Sequence, residues 1–287
     1  KIKEYNEKDE LTGAFTGRFS TNDIIEGTWE NPKTKKSAAF KLIESKEGIA
    51  EITFENFHKE NCKNAEKNRR KPATEMMLWD TSCSYIDITL LKISSSNREI
   101  ATNVNASIVN SICNGGMKKF NSIEAYLNSA DDTSNALSFN VLEIGCGVVT
   151  NENNVLSLSI SQYQNAGGAH PNFANDYINY DLTSGKQIPI DELFIPNYKV
   201  SLDKAAEKIF RKNYGKTADA TWDFGKGGFH LNKNYAITTG GLLFLFNQYE
   251  IGPYAAGSPE IFIPYKEIES IVKPGGVLSR FTTKQNP

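Results

Sequence analysis

The sequence predicts an α+β fold: a mainly antiparallel sheet packed with a few helices, preceded by a small N-terminal β-meander. Three observations point there. Short runs of β-branched and aromatic residues, bounded by turn residues, recur along most of the 287 residues. Helical periodicity is confined to a few stretches between them. Strands and helices segregate, with no regular alternation of the kind that builds a parallel sheet.

The meander comes first. "GAFTGRFS" (13–20), "DIIEGTWE" (23–30) and "SAAFKLIE" (37–44) are separated by the turn signals "STND" and "NPKTKK". Phe15, Gly17, Ile25, Gly27 and Trp29 place glycines inside these strands, where they permit close backbone approach or a bulge. A further strand is expected over 49–57. The polar run "HKENCKNAEKNRRKP" (58–72) then reads as a solvated connector, because its basic cluster has acidic neighbours and no interleaved aromatics. That reading sets a boundary near Pro72, with a β-rich region at 1–72 and an α+β domain at 73–287.

Beyond the boundary, "YIDITLLKI" (85–93) alternates like a half-buried strand. Ile100, Val104, Ile108 and Ile112 recur every fourth residue, the apolar stripe of a helix. A second short helix follows, with Asn121 and Glu124 at capping-box spacing. "SFNVLEIGCGVV" and "NVLSLSISQYQ" are strands, and "FANDYINYDL" is the next, so "GGAHP" between the last two tips an antiparallel hairpin. "SLDKAAEKIFRKNY" (201–214) is the clearest helix, with Ser201 as its expected N-cap. A hairpin around Gly240-Gly241, the strand "EIFIPY" and a closing helical turn complete the chain.

Charge narrows the partners. With 32 basic and 34 acidic residues, nothing draws the chain to nucleic acid or to an anionic membrane. No apolar run reaches the roughly 18 residues of a membrane span. The opening "KIKEYNEKDE" has no apolar h-region, which leaves a cytosolic protein or one whose signal segment or lipid anchor has been removed. Cys62, Cys83, Cys113 and Cys146 form no CxxC pair, which argues against zinc. They read as two disulfides, Cys62–Cys83 and Cys113–Cys146, each closing a moderate loop, or as four buried thiols.

Candidate chemistry centres on three histidines, His58, His170 and His230. His58 falls in the connector, and His230 just before a strand. His170 is flanked by Gly167 and Gly168, able to take positive φ, and by Pro171, which fixes the outgoing chain. Tyr163, Asp176 and Asp181 lie close enough in sequence to orient its imidazole. No HxH or HExxH spacing, GxSxG elbow or dinucleotide fingerprint accompanies it, so neither a catalytic residue nor a cofactor nor a metal is assigned. Tyr249, Tyr254, Phe262 and Tyr265 lie among glycines and prolines, where aromatic loops stack on sugars or anchor partner proteins.

"GGAHPNFANDYINYDLTSGKQIPIDELF" followed by "GLLFLFNQYEIGPYAAGSPEIFIPY" resembles a domain of unknown function. That domain occurs in the ectodomain of the lysozyme-sensing anti-sigma factor and beside some peptidoglycan deacetylases. The resemblance covers 163–272, and more loosely the chain from Tyr85. Pro171 stands where the family's tetrad is followed by glycine. The resemblance implies an extracytoplasmic bacterial envelope protein, secreted or lipid-anchored, that binds a lysozyme-like protein or a peptidoglycan fragment without catalysing a reaction. In that reading Gly167, Gly168, His170, Tyr163, Asp176 and Tyr254 form the ligand or loop site. The alternative is a hydrolase of envelope carbohydrate using His170.

Overall fold

A computed structural model describes residues 1–6, 10–21, 24–43, 47–61, 84–113, 120–129, 141–166, 169–215 and 221–282. The chain forms two compact units, Lys1–Glu47 and Gly48–Pro287. The fold is α+β, as the sequence predicts.

The first unit is a four-stranded antiparallel meander of β1 (Ile2–Tyr5), β2 (Leu11–Thr21), β3 (Ile24–Glu30) and β4 (Ser37–Ile43). Gly17 and Gly27 face each other across β2 and β3. A side chain on Gly27 would run into the Thr16 carbonyl, which is why the pattern needs glycine there.

The second unit is built on a six-stranded sheet, ordered β10-β9-β8-β7-β6-β5. Its members are β5 (Glu51–Asn61), β6 (Ser84–Ser94), β7 (Val141–Glu152), β8 (Val155–Asn165), β9 (Asn172–Asp181) and β10 (Lys186–Gln187). β5 pairs with β6 along its whole length, so this strand belongs to the larger sheet, and the two compact units divide between Glu47 and Gly48. His58 therefore lies in a strand and not in a connector; its Nδ1 is 2.6 Å from Asp87.

β6 and β7 are the one parallel pair among the described strands. A parallel pair needs a crossover, and α1 (Arg98–Cys113) and α2 (Ile123–Ser129) lie in it. The four-residue stripe of α1 buries Ile100, Val104, Ile108 and Ile112 against one face of the sheet. Asn97 caps α1 through Oδ1, accepting from the Glu99 and Ile100 N–H groups at 3.0 and 3.4 Å. At α2 the cap is Ser122, whose Oγ accepts from the Ala125 N–H at 3.1 Å, and not Asn121. The capping-box spacing pointed one residue too early.

The opposite face carries a second layer: a three-stranded sheet of β11 (Tyr235–Ile237), β12 (Gly241–Leu245) and β13 (Glu260–Pro264), with α3 (Lys199–Tyr214), α4 (Tyr265–Ile268) and α5 (Ser279–Thr282). α3 begins before Ser201, with Tyr198 at the N-cap position and no side-chain cap. Leu202, Ala206 and Phe210 form its buried stripe. Amides join the layers. Asn179, 3% exposed, accepts from Ser157 Oγ (2.6 Å) and the Ile237 N–H (2.9 Å), and donates to the Tyr235 carbonyl (2.8 Å).

Cys113 and Cys146 are free buried thiols, which corrects the expected disulfide between them. Both pack as small apolar residues in the core under α1. Burial pushes the Cys113 thiol up to about 11 and raises that of Cys146, so neither is readily ionised. Cys62 and Cys83 lie outside the described residues.

Candidate functional site: an aromatic platform at a hairpin tip

The site forms where the β8–β9 hairpin meets the loop after β12. Beyond the short β10, no described strand pairs with the outer edge of β9, and the N–H groups of such an edge need partners. Side-chain amides supply them. The Tyr177, Asn175 and Phe173 N–H groups donate to Asn234 Oδ1 (2.8 Å), Asn247 Oδ1 (2.8 Å) and Gln248 Oε1 (3.4 Å). Asn234 Nδ2 returns a bond to the Asn175 carbonyl at 2.8 Å. The ladder pins the 247–250 turn against the hairpin.

That turn is held in place and strained. Glu250 accepts from the Asn247 N–H at 2.9 Å and from Asn232 Nδ2 at 2.8 Å. Tyr249 sits at φ +68°, a conformation uncommon for a bulky residue and costing on the order of 1–3 kcal/mol. The strain delivers the phenol to His170. Tyr249 Oη lies 2.9 Å from His170 Nε2, and His170 Nδ1 lies 3.0 Å from the Pro171 carbonyl. A carbonyl only accepts, so Nδ1 carries the proton and donates; Nε2 then accepts from the Tyr249 hydroxyl. Tyr254 stacks on the imidazole with ring centroids 3.7 Å apart and planes 21° from parallel. Tyr249 and Tyr254 are themselves 5.9 Å apart. Tyr249 is 59% exposed, so this three-ring patch faces solvent.

Beside the patch lies a cleft of about 340 Å³ lined by Gln162, Gln164, Asn172, Phe173, Gln248 and Tyr249, among others. Its polar groups are neutral amides and a phenol, all of which both donate and accept hydrogen bonds.

Of the residues singled out in the sequence, the structure brings His170, Tyr249 and Tyr254 together. Asp176 is engaged elsewhere: its carboxylate accepts from Asn247 Nδ2 at 3.3 Å. Burial raises its pKa, the Asn247 bond opposes the rise, and nearby Glu250 adds to it. Asp181 pairs with Arg280 at 2.9 Å. Tyr163 sits along β8, in register with Glu143 and Phe173. Gly167 and Gly168 lie outside the described residues. Of the four aromatics after β12, Tyr265 joins the core, whereas Tyr249 and Phe262 stay exposed. No spacing rule links Tyr249 to His170, because the two are 79 positions apart. The one signal was "NQYE", an amide pair and an aromatic placed directly after an apolar strand.

The arrangement defines a layered α+β unit, its six-stranded sheet covered on both faces, carrying a solvent-facing aromatic and amide surface. Comparison with known proteins gives this unit its relatives. Residues 191–266 match the family model "Protein of unknown function (DUF3298)", and residues 77–173 match "Deacetylase PdaC". His170 lies in the second match, Tyr249 and Tyr254 in the first, so the platform joins the two.

The fold is similar to that of a DUF3298 family member from Bacteroides fragilis, with a TM-score of 0.63 at 20% identity over 82% of this chain and 99% of that one. A DUF3298 family protein from Pseudomonas aeruginosa gives 0.58 at 20% identity over 79% and 97%. By sequence, 116 residues are 28% identical to immunogenic protein MPT64 of Mycobacterium tuberculosis, covering 38% of this chain and 49% of the relative. Esterase Rv3036c of the same organism is 29% identical over 114 residues, covering 39% and 50%. The chain thus spans about half the length of these curated relatives.

Proposed function

We propose that this protein works on the outer side of a bacterial membrane and binds cell-wall glycan, non-catalytically, on the His170–Tyr249–Tyr254 platform. One observation carries the reading: both ring nitrogens of His170 are occupied, by the Pro171 carbonyl and the Tyr249 hydroxyl, while its face is stacked on Tyr254. Those contacts hold the three rings together as one platform. Exposed rings next to neutral amides suit a sugar, whose C–H faces stack on aromatics and whose hydroxyls pair with amides. The match to a deacetylase family model supports an envelope setting.

The competing reading is hydrolysis of envelope carbohydrate or of an ester by His170, for which the relative described as an esterase is the precedent. Co-sedimentation with insoluble peptidoglycan tests the proposal. Tyr254→Ala is expected to weaken binding at least ~10-fold, about 1.4 kcal/mol, with the fold intact and no wall fragments released. Release of fragments or acids by the wild type that His170→Ala abolishes would replace binding by hydrolysis. Failure to bind glycan, with a lysozyme-like protein captured by the same rings, would move the site to a protein partner.

A further inference from the structure

The cleft beside the ring platform has a chemistry of its own. Part of its lining is one face of the β8–β9 hairpin. The register aligns Gln164 with Asn172 and Gln162 with Ala174, and alternation along each strand sets these four side chains on the same side. Among the described residues, nothing bonds the side-chain amides of Gln162, Gln164 or Asn172. Three neutral groups that each donate and accept hydrogen bonds are thus held close together and left available. Apolar surface interrupts them: Ala174 is small, and Phe173, 45% exposed, shares the lining with Tyr249. No described residue that lines the cleft is charged. The Asp176 and Glu250 carboxylates are both tied to Asn247 and do not line it.

We propose that this cleft takes the N-acyl group of an uncharged amino sugar and rejects the same sugar with a free amine, an assignment that rests on glycan binding at the rings. An N-acyl group presents one N–H donor, one carbonyl acceptor and a methyl group. The Gln164 and Asn172 amides supply partners for the first two, and Ala174 and Phe173 give the methyl a place out of water. A protonated amine loses hydration on entry and meets no carboxylate in the lining, and desolvating an unpaired charge is costly. A plain hydroxyl gains the hydrogen bonds but leaves the apolar strip empty. The volume of about 340 Å³ lies at the low end of small-ligand sites, which suits one sugar residue with its substituent.

Calorimetric titration of the whole chain with three β-1,4-linked tetrasaccharides tests the assignment, at about pH 6 where a free amine is protonated. The three are built from N-acetylglucosamine, glucosamine and glucose. The N-acetylated chain is expected to bind at least ~10-fold tighter than either of the others. Gln164→Ala and Asn172→Ala, each checked for folding by circular dichroism, should each cut that preference to about threefold or less and leave the glucose chain unaffected. Tyr254→Ala should weaken all three alike. Equal binding of the three chains, tighter binding of the glucosamine chain, or a preference indifferent to both amide variants would overturn the cleft assignment while leaving the rings as a glycan platform. Binding of none of the three would overturn both.

Discussion

The two units use similar strands to opposite ends. β2, β3 and β4 are richer in Phe, Ile and Trp than β7 and β8, yet their apolar residues stay half-buried or exposed. Leu142, Leu156 and Leu158 in the larger unit are fully buried. The difference is topology. In the larger unit, helices α1 and α2 cover one sheet face and β11–β13 cover the other. Among the described residues, none of the meander belongs to either hydrophobic core. Apolar patterning makes a strand amphipathic, and a second layer turns amphipathicity into stability.

That contrast breaks most readily at the cores. Phe244→Ala, at a site with no exposure, is expected to destabilise the larger unit by about 3–5 kcal/mol in urea unfolding. Phe19→Ala, followed by the same probe, should stay within about 0.5 kcal/mol. Equal losses would show that the meander has a core after all.

Next in size is the amide between layers. Asn179→Leu removes the acceptor of the Ser157 hydroxyl and a donor to the Tyr235 carbonyl, and leaves the Ile237 N–H with its 3.2 Å bond to Ser157 Oγ, for a loss of about 2–3 kcal/mol. A neutral substitution would mean that apolar packing alone joins the two sheets.

A smaller effect sharpens the comparison through pH. Burial alone would raise the Asp181 carboxyl, but the Arg280 guanidinium and the Thr183 N–H and hydroxyl outweigh it and lower the pKa below the ordinary value. A lowered folded pKa contributes stability that is present above the unfolded pKa, near 3.9, and lost as pH falls through the folded value. The wild type should therefore lose stability on acidification from about pH 5, and Arg280→Ala should flatten that slope. An unchanged slope would remove the Arg280–Asp181 pair from the account.

The smallest effect concerns the thiols. Cys113 and Cys146 should resist alkylation at pH 8 in the native protein and react on unfolding, as mass spectrometry would show.

Much of this was legible in the sequence where the signal was periodic. The stripe of Ile100, Val104, Ile108 and Ile112 predicted α1, and the runs around "GGAHP" predicted the β8–β9 hairpin. Helix starts were misplaced at Ser201 and Asn121, because several polar residues there can serve as caps and only geometry selects one. β5 was assigned to the meander because a strand's partner is not written in its own residues. The expected Cys113–Cys146 bond followed loop length, which says nothing about how side chains point. His170, Tyr249 and Tyr254 were visible only as separate candidates. Tyr249's place over the imidazole was not, since it depends on a strained turn held by Asn232, Asn247 and Glu250. Those amides look like ordinary loop composition until the unpaired edge of β9 gives them a task.

The central claim is that glycan meets the protein at His170. Three histidines give three imidazole signals in a proton–carbon correlation spectrum, so the test is direct. Titration with soluble peptidoglycan fragments should shift the His170 signal saturably and leave His58 and His230 in place. A saturable shift at His58 or His230 with His170 unmoved, or no shift at any of the three, would contradict the account.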